Sequence, residues 1–403
     1  MIIQPRTRGF ICTTAHPLGC AAQVRQQIEY VRARPAVKGP RSALIIGAST
    51  GYGLSARIAA AFGAGAATIG VYRPSQGSAR RTASAGWYNS AAFEQAAAEA
   101  GLISASVTGD AFDAATKAAA IAKIRALVGQ VDLVVYSVAT ARRIDPQTGE
   151  ARQSVLKPLG APYTNKTVNF HTGEISTVTI EPGTEAEVAD TVAVMGGDDW
   201  AAWIDALREA EVLSPDAGTV AYSYIGSAIT QAIYRAGTIG AAKDDLERTA
   251  QRLDERLSSD GGRAYVAVTK ALVTQSSSAI PVVPLYVSVL YKVMKEKGLH
   301  EGCIEQSYRL LAERLYADGG TPVDREGRIR LDDLELREDV QAEVTRRWDA
   351  LTGDNLGALA DLEGYRREFF RLFGFEMPGI DYEADVDPEV AIPAAVAAEP
   401  PAR

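Results

Sequence analysis

Two pairs of tyrosine and lysine residues in this chain are candidates for acid chemistry. Tyr234 precedes Lys243 with eight residues between them, and Tyr291 precedes Lys295 with three between them. A neutral phenol can hydrogen bond to an oxygen that gains negative charge when hydride adds to a conjugated carbonyl compound. A nearby ammonium favours the phenolate, which makes the phenol a better acid, and it can also bind the ribose hydroxyls of a nicotinamide cofactor. Either pair could therefore serve a hydride transfer.

Helix geometry distinguishes the two pairs. Tyr291 and Lys295 lie one turn apart, so a helix places both on one face, where they could equally form an ordinary surface pair. They also follow the glycine-rich turn at Gly47 by more than 200 residues. Tyr234 and Lys243 are nine steps of about 100° apart, so on one unbroken helix they would point in opposite directions.

The segment between Tyr234 and Lys243 breaks such a helix. It contains Gly237 and Gly240, which favour a turn. Tyr234 can then end one segment while Lys243 lies in the first turns of the next, with Thr238 as a candidate cap. The two side chains can converge in that arrangement, and Tyr291 with Lys295 stays open as the alternative pair.

The elements that must position such a pair begin with a glycine-rich turn. An apolar run at residues 43–46 is followed by Gly47-Ala-Ser-Thr-Gly51-Tyr-Gly53 and by a helical pattern from Leu54. A parallel strand is continuously apolar because both of its faces are covered. Glycines let the backbone turn tightly against a pyrophosphate, and the helix N-terminus offers N–H groups and partial positive charge to it. The turn therefore predicts a dinucleotide site.

Strands and helices alternate after this turn. Alternation with helices of ten to fifteen residues implies right-handed crossovers and a parallel, doubly wound sheet, so we expect an α/β, Rossmann-like fold. The predicted strands are 67–72, 103–107, 131–138, 218–225 and 264–274, and the predicted helices begin near 89 and cover 113–127 and 240–257.

The domain organisation follows from changes in this pattern. We expect one reductase-like domain over residues 1–386, with an insertion over about 142–217 that contains a small β-hairpin near 173–180. Extra C-terminal helices at 299–316, 336–350 and 356–372 are expected to cap one end of it, within about 299–375. The alanine- and proline-rich residues 387–403 predict a disordered tail.

Composition limits the partners and the compartment. The formal charge of −8 argues against nucleic acid or an anionic membrane surface. Three cysteines in 403 residues fit a reducing cytoplasm rather than a disulfide framework. The apolar stretch 279–291 is interrupted by Pro281 and Pro284 and is too short to span a bilayer, so we expect no membrane insertion. We also expect a monomer.

Cys12, His16 and Cys20 are spaced four apart, as metal ligands on one helical face would be. Pro17 argues against a continuous helix there, and a structural zinc site needs a fourth ligand. We therefore predict no metal. No histidine pairs with an obvious nucleophile, and we interpret all three as structural, namely His16, His171 and His300.

The order of several motifs resembles a known family, the FabV class of enoyl-acyl-carrier-protein reductases, which includes the trans-2-enoyl-CoA reductases. The similarity covers nearly the whole chain, and the spacing from Tyr234 to Lys243 matches that family's signature. The other matching motifs are Met1-Ile-Ile-Gln-Pro-Arg-Thr-Arg-Gly-Phe-Ile-Cys, Gly86-Trp-Tyr-Asn-Ser-Ala-Ala-Phe, Gly109-Asp-Ala-Phe, Val194-Met-Gly-Gly, Met294-Lys-Glu-Lys-Gly-Leu-His-Glu-Gly and Leu372-Phe-Gly-Phe-Glu.

The resemblance implies a reductase that delivers hydride from NADH or NADPH to the β-carbon of a trans-2-enoyl thioester, as in fatty acid biosynthesis. The substrate carrier is then coenzyme A or acyl carrier protein. Tyr234 corresponds to the catalytic donor, Lys243 to its cofactor-contacting partner and Tyr224 to a second tyrosine near the thioester. The expected cofactor contacts are Gly47, Ala48, Ser49, Thr50, Gly51, Tyr52, Tyr72, Arg73, Asp110, Ala111, Val138, Ala139, Lys243, Leu272, Val273 and Thr274.

One stretch departs from the family pattern. Family members commonly carry an acid after the second strand, where it can hold the adenosine ribose hydroxyls, but none lies between Gly70 and Phe93. Arg73 instead follows Gly53 by 20 residues, where enzymes that use NADP tend to place an arginine for the 2′-phosphate. Arg80 and Arg81 lie in the same loop. We therefore expect NADPH to be used at least as well as NADH.

Two alternatives to an enoyl reductase stay open. A short-chain 3-ketoacyl or carbonyl reductase would use Tyr291 and Lys295 and reduce C=O rather than C=C. A dinucleotide-sensing module would keep the fold and bind cofactor without turnover.

Overall fold

The secondary structure comes from a computed structural model of the chain, which describes residues 1–9, 11–145, 148–393 and 395–397. In chain order the strands are β1 Thr7–Arg8, β2 Ile11–Cys12, β3 Ser42–Ile46, β4 Ala67–Tyr72, β5 Ser104–Thr108, β6 Val131–Tyr136, β7 Arg142–Ile144, β8 Ala151–Gln153, β9 Tyr163–Asn169, β10 Glu174–Ile180, β11 Leu213–Ser223, β12 Arg263–Val268, β13 Ile329–Arg330 and β14 Ala395–Ala397. The α-helices are α1 Pro17–Arg32, α2 Gly51–Ile58, α3 Ala85–Glu99, α4 Ala114–Leu127, α5 Glu185–Met195, α6 Asp198–Glu209, α7 Thr238–Leu257, α8 Val283–Glu296, α9 Cys303–Leu310, α10 Glu338–Ala350, α11 Leu356–Leu359 and α12 Leu362–Arg371. Short 3-10 turns lie at Ser258–Asp260 and Ser277–Ala279, and α2 and α9 continue into π-helical turns at Ala59–Gly63 and Leu311–Leu315.

A parallel sheet forms the centre of the molecule. Its described strands lie in the order β13-β12-β11-β6-β3-β4-β5-β14, and every neighbouring pair is parallel. Helices connect the strands, so the Rossmann-like fold predicted from the alternation is confirmed. The chain runs from β3 to β4 on one side and later places β6 on the other. The carboxyl ends of β3 and β6 therefore form the switch point at which such sheets bind ligands.

The strands that flank the switch point are buried on both faces. All five residues of β3 are buried, as are all but one of the six in β6. The continuous apolar run that predicted a parallel strand at 43–46 is thus a consequence of cover on both sides of the sheet.

The insertion contains the expected hairpin. β9 and β10 pair antiparallel, with Asn169 opposite Glu174 at the turn. A smaller hairpin, β7 with β8, precedes it, and α5 and α6 lead back to the sheet at β11.

The C-terminal helices pack around α8. Pro284 lies in the first turn of α8, where a proline costs no helix hydrogen bond. The helix packs against α10 and α12, whose inner faces bury Val340, Val344, Tyr365 and Phe369.

Three predictions about these elements are wrong. The predicted helix 356–372 is divided into α11 and α12, because the backbone at Ala360 is extended between them. The predicted strand 264–274 ends at Val268, because side chains rather than a neighbouring strand take the N–H groups of Lys270 and Ala271. The predicted disordered tail from 387 is ordered in its described part. The Tyr88 hydroxyl donates to the carbonyl oxygen of Pro388 at 2.7 Å, and β14 extends the sheet beside β5. Amino-acid composition does not predict the pairing of β14 with β5. Residues 394 and 398–403 lie outside the described residues.

The segment from Cys12 to Cys20 changes conformation within a few residues. Cys12 ends β2, whereas α1 begins at Pro17 and contains Cys20. His16 caps that helix, with its Nδ1 accepting the Gly19 N–H at 3.3 Å. Among residues 1–9, 11–145, 148–393 and 395–397, no group of three or more histidine, cysteine, aspartate or glutamate side chains is placed to hold a metal.

Candidate active site

The glycine-rich turn connects β3 to α2 at the switch point. Gly47 has a φ of +88°, and a Cβ atom there would lie 2.1 Å from the carbonyl oxygen of Ser137 at the end of β6. A Cβ atom at Gly53 would lie 2.0 Å from the carbonyl oxygen of Gly47. Only glycine fits either position, which brings the N-terminus of α2 against the strand ends. A diphosphate can be held there by the first N–H groups of the helix.

A cavity of about 570 Å³ begins at this turn and extends along the carboxyl ends of β6, β11 and β12. The cavity brings together most of the residues that the sequence predicted for the site. The predicted residues in its lining are Gly47, Thr50, Gly51, Tyr52, Val138, Ala139, Tyr224, Tyr234, Lys243, Leu272 and Thr274. Its volume is in the range of small-molecule and cofactor sites.

Tyr234 and Lys243 converge on this cavity from two segments. Tyr234 lies in the turns that follow β11, and Lys243 lies in the second turn of α7. The Lys243 ammonium donates to the carbonyl oxygen of Tyr222 at 3.3 Å. The predicted break between the segments is present, but Thr238 is not the cap. Gly237 occupies the capping position, and the buried Thr238 hydroxyl donates to the carbonyl oxygen of Val155 at 2.5 Å.

Burial sets the protonation of this pair. Burial lowers the pKa of Lys243 to about 8, although the Glu247 carboxylate opposes the shift. Burial, followed by the charge of Glu335, raises the pKa of Tyr234 above that of a free phenol. At neutral pH the Tyr234 phenol is therefore a neutral donor, and Lys243 is protonated in most of the molecules.

Tyr224 follows directly on β11 and packs against Tyr234. The two rings meet edge to face, with centroids 4.7 Å apart and planes at 89°. The Tyr224 hydroxyl donates to Glu335 Oε1 at 3.2 Å. The two tyrosines thus share one wall of the cavity, whereas the Glu335 contact was not predicted.

Tyr291 and Lys295, the alternative pair, have other contacts. Tyr291 is fully buried, and its hydroxyl accepts the N–H of Val273 at 3.1 Å. The Lys295 ammonium pairs with Asp361 at 2.8 Å. The structure therefore places Tyr291 behind the loop that follows β12, and Val273 also faces away from the main cavity, into a second one of about 310 Å³.

The predicted adenosine contacts lie at the ends of β4 and β5. Arg73 follows β4, and its exposed guanidinium pairs with Asp110 at 2.9 Å. The carbonyl oxygen of Ala111 accepts from the Lys117 ammonium at 2.9 Å and from the Trp203 indole at 3.0 Å, which fixes the loop. Of the remaining predicted contacts, Ala48 and Ser49 lie in the turn itself and Tyr72 ends β4, and none of the three lines the main cavity.

Sequence reasoning missed the buried polar side chains behind the cavity. Glu335, Tyr286 and Gln306 are buried and hydrogen bonded around the loop at Lys270. They come from α8, α9 and the segment before α10, so no local spacing connects them. The charged run Leu331-Asp-Asp-Leu-Glu335-Leu-Arg-Glu-Asp gave no signal that Glu335 is buried.

Three family models match successive parts of the chain. The NAD(P)H binding domain of trans-2-enoyl-CoA reductase matches residues 2–79, and the trans-2-enoyl-CoA reductase catalytic region matches residues 81–316. A third model, described as an enoyl reductase FAD binding domain, matches residues 323–386.

Relatives match over nearly the full length. An enoyl-[acyl-carrier-protein] reductase [NADH] from Opitutus terrae is 57% identical over 392 residues, which are 97% of this chain and 99% of that protein. A trans-2-enoyl-CoA reductase [NADH] from Ruminiclostridium cellulolyticum is 56% identical with the same coverage. The crystal structure of the Treponema denticola trans-2-enoyl-CoA reductase with NAD has a TM-score of 0.93 at 50% identity, covering 96% of this chain and 98% of that one. The Clostridium acetobutulicum enzyme with NADH has a TM-score of 0.94 at 42% identity, covering 98% and 100%.

The third matched segment does not fit a flavin dinucleotide, whereas the turn at Gly47 fits a nicotinamide dinucleotide. A helix N-terminus favours a diphosphate, and acidic side chains in its first turn oppose one. In residues 323–386, the first turn of α10 carries Glu338 and Asp339, and the Asp361 side chain already accepts the N–H of Gly364 at the start of α12. The apolar side chains of these helices fill the core. Among described residues matched by the third model, Leu372 alone lines the main cavity.

The described residues include no helix that is both long and apolar enough to cross a membrane.

Proposed function

We propose residue roles for this chain from one premise: it belongs to the trans-2-enoyl-CoA reductase family, which includes the FabV-type enoyl-acyl-carrier-protein reductases. The chain is an NAD(P)H-dependent oxidoreductase that reduces the trans-2 double bond of enoyl thioesters to the saturated acyl thioester. The enoyl-acyl-carrier-protein reductase names of its relatives fit a place in fatty acid biosynthesis. The roles rest on one observation, that a single cavity joins the glycine turn to Tyr224, Tyr234 and Lys243.

Tyr234 is the donor to the thioester oxygen. When bound along the cavity, the reduced nicotinamide supplies the hydride that the β-carbon receives. The electron pair of the C=C bond then moves toward the thioester oxygen, and Tyr234 stabilises the resulting enolate by a hydrogen bond. A proton added at the α-carbon completes the saturated product. The buried position of Tyr234 supports this role, because a neutral phenol in a site of low dielectric is a strong donor to an anion.

Lys243 holds the nicotinamide ribose and supports Tyr234. Its ammonium lies in the same cavity and is fixed by the Tyr222 carbonyl oxygen. Tyr224 places the Tyr234 ring by edge-to-face packing.

The cofactor is NADH. The expectation that NADPH serves at least as well has no support from the relatives, whose names give NADH. Pairing between Arg73 and Asp110 supplies a physical reason. The Asp110 carboxylate can accept from a ribose hydroxyl, whereas it repels a 2′-phosphate and already occupies the guanidinium that would bind one.

The working form is a monomer in the cytoplasm, with one reductase domain over residues 1–386. All the proposed site residues come from one chain. Cys12, Cys20 and Cys303 are free thiols, as a reducing compartment favours. Sedimentation equilibrium at micromolar concentration checks the oligomeric state.

A spectrophotometric assay tests the reaction itself. NADH oxidation is followed with crotonyl-CoA and with acetoacetyl-CoA at equal concentrations. We expect turnover of crotonyl-CoA only. Turnover of acetoacetyl-CoA alone would indicate a carbonyl reductase, and NADH binding without turnover of either thioester would indicate a sensing module.

A further inference from the structure

Glu335 is a fully buried carboxylate directly behind Tyr224. It lies in the segment before α10 and is 0% exposed. Its Oε1 atom accepts from the Tyr286 hydroxyl at 2.6 Å and from the Tyr224 hydroxyl at 3.2 Å. Its Oε2 atom accepts the N–H of Ala271 at 2.6 Å. A carboxylate surrounded by three donors is an acceptor at both oxygens, which is the pattern of an ionised group.

Lys270 is the cation near Glu335 and does not touch it; burial lowers the pKa of the Lys270 ammonium, and the Glu335 charge opposes that shift. The lysine is 2% exposed, and its ammonium donates to the carbonyl oxygen of Ala271 at 3.1 Å. The two side chains therefore hold both backbone polar groups of Ala271. Glu335 accepts its N–H, and Lys270 donates to its C=O. Burial raises the pKa of Glu335, and the Lys270 ammonium is the strongest influence that opposes the rise.

The residue before Ala271 is held in the same way. The N–H of Lys270 donates to Gln306 Oε1 at 3.1 Å, and its carbonyl oxygen accepts from the Tyr52 hydroxyl at 3.2 Å. All four backbone polar groups of Lys270 and Ala271 are thus held by side chains. This stretch leads directly into Leu272 and Thr274, which line the cavity.

We propose that Glu335 is a positioning residue, which fixes the Tyr224 hydroxyl and the loop from Leu272 to Thr274 relative to one another. The proposal rests on the proposed function, in which Tyr224 places Tyr234 and the loop lies on the nicotinamide side. A single carboxylate bridges the two walls between which the thioester and the nicotinamide must meet. Small displacements of such walls are costly in hydride transfer, because the reacting atoms must stay in near-attack geometry.

The direction of the hydrogen bond from Tyr224 to Glu335 gives Tyr224 and Tyr234 different roles. An ionised carboxylate has no proton to give, so the Tyr224 hydroxyl donates its only proton to Glu335. Tyr224 then has no proton for the substrate, and Tyr234 is the phenol that donates to the thioester oxygen. Without the carboxylate, Tyr224 is released to rotate and to compete for that oxygen.

Glu335→Gln in the full chain tests the proposal. A glutamine offers one acceptor oxygen to three donors and turns an N–H toward one of them. We expect kcat with crotonyl-CoA to fall about ten- to a hundredfold, the size expected for hydrogen bonds to a charged group. Glu94→Gln is the matched control, because Glu94 is also buried but contacts Arg57 away from the cavity. We expect that change to lower stability, and any effect on kcat to be the same with and without Tyr224, because the partners of Glu94 are Arg57, Ser104 and Ser106.

A double-mutant cycle with Tyr224→Phe separates positioning from general loss of structure. If Glu335 acts through Tyr224, Glu335→Gln lowers kcat much less in the Tyr224→Phe background than in the wild-type background. The proposal is overturned if kcat in the double variant falls by the product of the two single-variant effects. An unchanged kcat in Glu335→Gln also overturns it. Glu94→Gln should have the same effect in both backgrounds.

A second variant keeps the proposal open to test if Glu335→Gln does not fold. Tyr286→Phe removes the 2.6 Å bond from the same oxygen and leaves the carboxylate in place. We expect a smaller fall in kcat with the same dependence on Tyr224, and independence from Tyr224 overturns the proposal. Normal turnover of Tyr234→Phe would instead contradict the proposed function, so the two failures are distinguishable.

Discussion

Two buried glutamates occupy the two halves of this molecule and are held in different ways. Glu94 lies in the first half, around β3, β4 and β5, where we propose that the adenosine and diphosphate bind, and it contacts the Arg57 guanidinium at 2.7 Å. Burial alone raises the pKa of Glu94, but Arg57 and two serine hydroxyls outweigh it, and the net shift is downward. Glu335 lies in the reaction half, around Tyr224 and the loop after β12. The hydroxyls of Tyr224 and Tyr286 contact its carboxylate, Lys270 is further away, and the pKa of Glu335 stays raised. The first half uses full charge pairing, and the second keeps a carboxylate beside neutral phenols.

Arg57 shows what full pairing achieves. Its guanidinium extends from α2 and also donates to Ser106 Oγ at 3.2 Å and to the carbonyl oxygen of Ala105 at 2.7 Å. A Cβ atom at Gly70 of β4 would lie 2.6 Å from Arg57 Nη1. The pair therefore fastens α2, the helix of the proposed diphosphate site, to β4 and β5. In the reaction half the corresponding carboxylate, Glu335, instead contacts the neutral phenols of Tyr224 and Tyr286.

Arg57→Met should lower the free energy of unfolding, which is the largest effect that we expect in the first half. The change leaves the Glu94 carboxylate buried without its charge partner, which typically costs about 3–5 kcal/mol. Urea unfolding monitored by circular dichroism measures the loss. Arg57→Met combined with Glu94→Leu is the control and should recover most of the stability, because no unpaired charge is left. A loss below about 1 kcal/mol in the single variant would show that the pair is not the fastener.

Tyr234→Phe should lower kcat through the reaction half and leave the first half unaffected. Loss of one donor to the developing enolate lowers kcat by roughly 10² to 10³, equivalent to about 2.7–4 kcal/mol. NADH affinity, measured by fluorescence titration, should stay nearly unchanged. Tyr291→Phe is the matched control, since that hydroxyl accepts from the Val273 backbone. An inactive Tyr291→Phe beside an active Tyr234→Phe would transfer the role to the other pair.

The pH dependence of cofactor binding should sharpen the comparison, because burial lowers the pKa of Lys243 in the reaction half to about 8. Its pKa of about 8 lies below the ordinary 10.5, so the ammonium is lost as the pH rises through about 8. We expect NADH to bind more weakly above that pH, by about tenfold at most for one charge-assisted contact. Affinity measured from pH 6.5 to 9.5 checks this. Lys243→Arg keeps its charge, and a fall of the same size in that variant would exclude Lys243 as the cause.

Cofactor preference should change least, because Arg73 is exposed and its pairing is screened by solvent. Asp110→Asn frees the guanidinium and removes the charge that repels a 2′-phosphate. We expect the ratio of kcat/KM for NADPH to that for NADH to rise several-fold. Arg73→Glu should lower the same ratio. Steady-state kinetics with both cofactors decide the matter, and a ratio that neither change alters would place ribose recognition elsewhere.

The sequence predicted the features that short stretches determine. The turn at Gly47 was visible as three closely spaced glycines after an apolar run, and the strands of the sheet were visible as short apolar runs. The break between Tyr234 and Lys243 followed from the two glycines. The partners of Glu335 and Arg57 were not predictable, since they come from distant elements that the fold brings together. The end of β12 at Val268 was misplaced for the same reason.

The hydrogen bonds at Lys270 and Ala271 also determine what happens to conformational entropy when the cofactor binds. A segment that becomes ordered only around its ligand loses about 1–2 kcal/mol of free energy for each residue that is fixed. Here both residues have every backbone polar group held by a side chain of the same chain. Ordering of these two residues therefore belongs to folding, and the affinity for NADH is not reduced by it.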